Sequence, residues 1–242
     1  NMWSPDSARP EYVVNALEAA KSGPVEEGAV GAGRGTQAFG WKGGIGTSSR
    51  VLPQSLGGYT VGVLVQTNFG GELIMNGAPV GRELGQYSHK TQLEEAHQGV
   101  VPLDGGSMMM VVATDAPILS RNLDRLSKRA MMGIARTGSV AHNSSGDYVI
   151  AFSTNKDVRR DRGAREPVPS KTLTNTAMSP LFQAVVEAIQ ESVYNAMLKA
   201  ETVSSSRGTL KAIDVDKVKE ILEKYNVTNY DKKLSPVKVS NQ

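Results

Sequence analysis

Gly105-Gly106 leads without a break into Ser107-Met-Met-Met-Val-Val-Ala-Thr-Asp115. A run this apolar is driven out of water and forms a buried strand or helix. The glycine pair ahead of it is the most pliable kind of backbone. A hydroxyl residue therefore sits where a flexible bond meets a fixed element. Ser107 Oγ can attack the Gly106 carbonyl from there, shift the acyl group from nitrogen to oxygen, and release a new N-terminus by ester hydrolysis. Gly106 puts no side chain in the way and tolerates the strained backbone this requires. After such a cut Ser107 carries a hydroxyl nucleophile and an α-amine that serves as its base. The amine's reference pKa of about 7.7–8.0 leaves a useful fraction neutral near physiological pH. On Gly-Gly-Ser alone, a glycine hinge before an ordinary core strand is the better account.

The rest of the composition narrows the class. With 242 residues, 39% hydrophobic and 21% charged, the chain can bury a sizeable core. The 25 glycines gather between Gly23 and Gly85, where backbone must bend tightly or approach something closely. A net charge of +3, from 27 basic against 24 acidic residues, argues only weakly for nucleic acid. There is no cysteine, which excludes disulfides, thiolate chemistry and cysteine metal sites. No apolar run approaches the length of a membrane span.

Periodicity places the elements. Pro10 to Lys21 reads as a short amphipathic helix, with proline at its start and Gly23 beyond its end. Gly28 to Gly46 reads as strand and turn glycine; Gly31-Ala-Gly-Arg-Gly35 lacks the following acidic strand end that a dinucleotide loop needs. Tyr59 to Thr67 and Tyr148 to Phe152 read as strands, as does Met108 to Ala113. Residues 70 to 106 are polar and without period, and read as a linker made mobile by a cut. His89 and His97 within it have no ligand spacing and read as solvent-exposed. Ser120 reads as the N-cap of a helix through Leu123, Leu126, Ala130, Met131 and Ile134, ending at Gly138. Ser179-Pro180 reads as the cap of a long helix to Lys199, and Ile213 to Tyr225 as a last short one. The basic run Arg159 to Arg165 reads as a solvated loop, the alternative being a nucleic-acid contact. Pattern alone gives an α+β or mixed α/β chain with layered sheets.

Several blocks together resemble the L-aminopeptidase/D-amidase/D-esterase family, which includes the β-peptidyl aminopeptidases. They are Trp41-Lys-Gly-Gly-Ile-Gly-Thr-Ser-Ser-Arg50, Gly57-Gly-Tyr-Thr-Val-Gly-Val-Leu-Val-Gln-Thr-Asn68, Gly77-Ala-Pro-Val-Gly-Arg82, the Gly105 to Pro117 stretch, Arg129 to Gly138, Ser144-Ser-Gly-Asp147 and Ala151-Phe-Ser-Thr154. The match extends from about Glu11 to Leu198. Members of that family carry a substantial upstream segment, and Asn1 is expected to fall where the family is already well under way.

The resemblance implies a four-layer αββα sandwich with the nucleophile at a newly made N-terminus. It implies residues 1–106 as the end of an α-subunit and 107–242 as a β-subunit, together forming one domain. Cleaved heterodimers would assemble further into a homo-oligomer. The activity implied is hydrolysis of N-terminal residues from short peptides, amides or esters, without metal or organic cofactor, nucleic acid or membrane. Related folds serve nylon-oligomer hydrolases and ornithine acetyltransferases, but with Thr at the cut; a basic non-enzymatic binding module is the rival from another class. The implied site has Gly106 and Ser107 at the cleavage point and Ser107 as nucleophile. Asn68 donates to the oxyanion, and Ser145 and Asp147 orient the nucleophile and its amine. The bland readings are a turn at Asn68-Phe-Gly70 and Asx-type capping at Ser145 to Asp147. Lys42 stays outside the catalytic set. His142 beside the acidic turn does not make a Ser-His-Asp triad, since a terminal amine makes a separate imidazole base unnecessary.

Overall fold

The computed structural model describes residues 9–90, 93, 106–143, 145–166, 169, 171–206 and 208–228. In chain order the elements are α1 (Pro10–Glu18), β1 (Gln37–Ala38), β2 (Trp41–Lys42), β3 (Ile45–Val51), β4 (Thr60–Gln66), α2 (Val80–Glu83), β5 (Met109–Thr114), α3 (Ser120–Arg136), β6 (Tyr148–Ser153), α4 (Ser179–Leu198), β7 (Val203–Ser205), β8 (Gly208–Leu210) and α5 (Val215–Lys224).

Four strands form the central sheet in the order β3-β4-β5-β6. The first two pairings are antiparallel. β5 and β6 run parallel, joined through α3 as a parallel pair requires. The alternation in β4 and β5 sends Val61, Val63 and Val65, with Met110 and Val112, into the core. α3 and α4 cover that face and pack on each other. Leu126, Ala130 and Ile134 of α3 meet Leu181, Val185, Ile189 and Val193 of α4, all buried. Each such side chain taken fully out of water stabilises the fold by about 1.5–3 kcal/mol.

The opposite face carries Met109, Tyr148, Ile150 and Phe152, and Tyr148 and Ile150 are 63% and 59% exposed. Of the four layers expected, the described residues supply one helical layer and one four-stranded sheet, beside the two-stranded β1-β2 and β7-β8 ribbons. α1 forms where proline at its first turn predicts it, but none of its residues is buried.

Three local expectations change. Ser120 is the first helical residue of α3, with Leu119 in the cap position and no side-chain cap bond. Ser179 likewise lies inside α4, after Met178; a tight turn at Thr176–Met178 leads the chain in already helical, which leaves the serine no capping geometry. Residues 70 to 90 are not a linker. Leu73, Met75, Ala78 and Val80 are buried in the core, and Glu72 and Ile74 N–H bond the carbonyls of Gly138 and Thr137. Sparse apolar residues anchor this irregular segment one at a time, so no period appears. Gly138 ends α3 as expected, at φ 98°. Asp214 caps α5 by accepting the Lys217 N–H.

Candidate active site

Ser107 stands two residues ahead of β5, where the apolar run fixes Met108 at 0% exposure. Its N–H donates to the Asn68 carbonyl at 2.5 Å, which ties it to the residue just past the end of β4. Its Oγ donates to the Gly106 carbonyl oxygen at 2.7 Å. The Ser107 hydroxyl is thus folded back against the carbonyl of its own peptide bond. Gly106 is required for a closer reason than open access. A Cβ there would lie 2.4 Å from the Asn68 carbonyl oxygen and 2.6 Å from Phe69 Cα.

The turn before β6 closes on the same atoms. Gly146 N–H points at the Gly106 carbonyl oxygen at 3.2 Å and at Ser107 Oγ at 3.3 Å. Ser145 Oγ donates to Asp147 Oδ2 at 2.9 Å. Asp147 Oδ1 accepts the Met108 N–H, also at 2.9 Å. The parallel β5–β6 pairing, which matches Met109 with Tyr148, sets this turn beside the start of β5. With the Gly106–Ser107 bond in place, the carboxylate holds the residue after Ser107, and Ser107 N–H is taken by Asn68.

Asn68 approaches from the other side. Its Oδ1 accepts the Gln37 N–H at 3.4 Å, and Phe69 N–H bonds the Gln37 carbonyl. An amide whose oxygen faces the β1–β2 hairpin turns its NH₂ to another side. Thr67 next to it is buried and clasps Gly44, whose N–H donates to Thr67 Oγ1 at 2.9 Å.

All the expected site residues gather here: Gly106, Ser107, Asn68, Ser145 and Asp147. Sequence reasoning missed Gly146 as a donor, although its place in the Ser-Ser-Gly-Asp turn was in view. It also missed Gln37 and Met108, which act through backbone N–H groups that any residue type would supply.

The histidines stand apart from this chemistry. His142 lies close by, and its carbonyl accepts the Ser145 N–H at 2.7 Å. Its ring meets His89 edge to face at 6.3 Å. His89 is exposed, as expected, while His97 lies outside the described residues. No cluster of three or more metal-ligating side chains occurs among the described residues.

Residues 3–211 match the model of peptidase family S58. The chain belongs to that family. It is 42% identical over 226 residues to the β-peptidyl aminopeptidase BapA of Sphingosinicella microcystinivorans, a match covering 90% of this chain and 56% of the relative. It superposes on a Burkholderia sp. β-aminopeptidase with a TM-score of 0.75 at 36% identity, covering 88% of this chain and 58% of that one. A third match is the L-aminopeptidase D-Ala-esterase/amidase of Ochrobactrum anthropi, described as a prototype for the serine aminopeptidases and a new variant among the Ntn hydrolase fold. There the TM-score is 0.75 and the identity 35%, with 88% of this chain and 57% of that one covered. The chain thus spans little more than half the length of the S58 relatives it matches. Its mixed α+β layering is theirs. Among the described residues, no helix is long and apolar enough to cross a membrane.

Proposed function

We propose that this chain belongs to a self-processing N-terminal-serine aminopeptidase or amidase that removes N-terminal residues from short peptides, amides or esters. The observation that carries the reading is the convergence on one carbonyl. Ser107 Oγ and the Gly146 N–H both lie within 3.2 Å of the Gly106 carbonyl oxygen. Membership of a peptidase family whose relatives are named aminopeptidases supports it.

In the cut, Ser107 Oγ bonds to the Gly106 carbonyl carbon and its proton passes to the departing nitrogen. Negative charge builds on the Gly106 oxygen, where the Gly146 N–H stabilises it. The C–N bond breaks, leaving an ester on Oγ and a free α-amine on Ser107. Water then hydrolyses the ester, and residues up to Gly106 and from Ser107 onward become two subunits. In turnover the same Oγ attacks the substrate carbonyl, and the α-amine takes the proton and returns it to the leaving amine.

Asn68 Nδ2 is the second oxyanion donor in this account. Asp147, with Ser145 bonded to it, holds the α-ammonium once the Ser107 nitrogen is free. Neither the cut nor turnover requires a metal or organic cofactor. Heterodimers then pair into a larger assembly.

The test is release of p-nitroaniline from α- and β-aminoacyl anilides by the full chain, with a chelator present. Activity that is lost on chelation and restored by a divalent metal would contradict the reading.

A further inference from the structure

Lys42 is a lysine with no exposed surface at all, and the chemistry just described makes no use of it. Its Nζ donates to the carbonyls of Gly33, Thr36 and Gly43, each at 2.6 Å. Three acceptors at that distance take all three N–H groups of an ammonium, in short charge-assisted bonds. No carboxylate pairs with this cation among the bonds described; its partners are backbone. Burial pulls its pKa down to about 8, and the nearby charge of Arg34 adds to the effect. At neutral pH it is still mostly charged. An ammonium set so deep is expensive to desolvate, so its place calls for a reason beyond filling space.

One of those carbonyls leads directly to the catalytic machinery. A trans peptide is a rigid plane with its C=O and N–H on opposite sides. In the plane joining Thr36 and Gln37, the C=O is gripped by Lys42 Nζ. The N–H of that same plane donates to Asn68 Oδ1. Gly43 N–H reinforces the grip on the Thr36 carbonyl at 3.2 Å, and Lys42's own N–H is tied to the Lys211 carbonyl. Polarising the C=O with a full charge also makes the opposite N–H a better donor.

We propose that Lys42 is a positioning residue for Asn68. Through the Thr36–Gln37 peptide plane it fixes which way the Asn68 side-chain amide faces, and so keeps Nδ2 aimed at the oxyanion. This rests on the oxyanion role given to Asn68 above. The ammonium stays out of the site, which gains a fixed neutral donor without a competing positive charge beside the substrate amine.

The experiment is a double-mutant cycle on the full chain, normalised to the concentration of cut, active enzyme. Asn68→Ala alone tests the underlying reading, because wild-type kcat in that variant would refute the oxyanion role itself. Lys42→Met should lower kcat by roughly 10- to 100-fold with KM little changed, since a misplacement of about 1 Å costs on the order of 10²-fold. In the Asn68→Ala background the same change should cost nothing further. Gln37→Pro covers the case in which Lys42→Met fails to fold. It removes the N–H that holds Asn68 while leaving Lys42 in place, and Thr36 is already extended at φ −109°, as a residue before proline must be. It should give the same kcat loss and the same non-additivity. Losses that multiply with Asn68→Ala, or a wild-type kcat in Gln37→Pro, would overturn the proposal.

Discussion

Ser107 is held between two supports of opposite character. On one side the Ser145-Gly146-Asp147 turn brings a carboxylate, bonded to Ser145 Oγ and the Met108 N–H. On the other, Asn68 offers a neutral amide, set by Gln37 and backed by the buried Lys42. The first support is short and local to the β5–β6 edge. The second draws on β4, the β1–β2 hairpin and the glycine-rich stretch before it. In the proposed mechanism the site must neutralise a cationic amine and also stabilise an oxyanion, which needs charge in one place and uncharged, immobile donors in the other. The longer scaffold of the amide side provides that immobility.

Removing what lies between the two supports has the largest effect. Ser107→Ala should leave a single uncut chain with no measurable hydrolysis, as denaturing electrophoresis and an anilide assay would show. Gly106→Ala should also block the cut, because its Cβ would drive into the Asn68 carbonyl.

The amide side comes next. Asn68→Ala, measured on fully cut material, should lower kcat by roughly 10²–10³-fold with little change in KM, since the interaction matters mainly in the transition state. An unchanged kcat would reduce Asn68 to a turn residue. The acid side should respond differently. Asp147→Asn keeps the size and removes the charge that favours the protonated amine, so the pH–rate profile should shift to lower pH. A fall in rate at an unmoved profile would assign Asp147 to structure alone.

How much of this the sequence disclosed divides along the same line. Ser107, Asn68, Ser145 and Asp147 stood out because their side chains are chemically distinctive and sit in recognisable blocks. Gly146 and the Thr36–Gln37 plane did not, because a backbone N–H carries no side-chain signature and its aim depends on tertiary contacts. Lys42 was visible, but a buried cation bonded only to carbonyls looks the same in sequence as a surface lysine. Among the elements, β4, β5 and β6 emerged from apolar runs and α3 from its 3.6-residue period. Residues 70 to 90 escaped, since Leu73, Met75, Ala78 and Val80 pack singly from irregular backbone held by Thr137 and Gly138.

The smallest expected effect concerns the buried charge. With its folded pKa pulled down to about 8 from an ordinary lysine value of 10.5, Lys42 binds fewer protons folded than unfolded between those limits. The stability it contributes is therefore fully present above about 10.5 and lost as pH falls through about 8. Urea unfolding should show wild type gaining on Lys42→Met as pH rises from 8 to 10, by about 1–3 kcal/mol. A difference independent of pH would contradict the burial of a titrating ammonium.

The account stands or falls on the origin of the nucleophile. N-terminal sequencing of the purified, active full chain should read Ser-Met-Met-Met-Val-Val, the residues from Ser107 onward, in an amount matching the active sites. An uncut Gly106–Ser107 bond in fully active enzyme would contradict it.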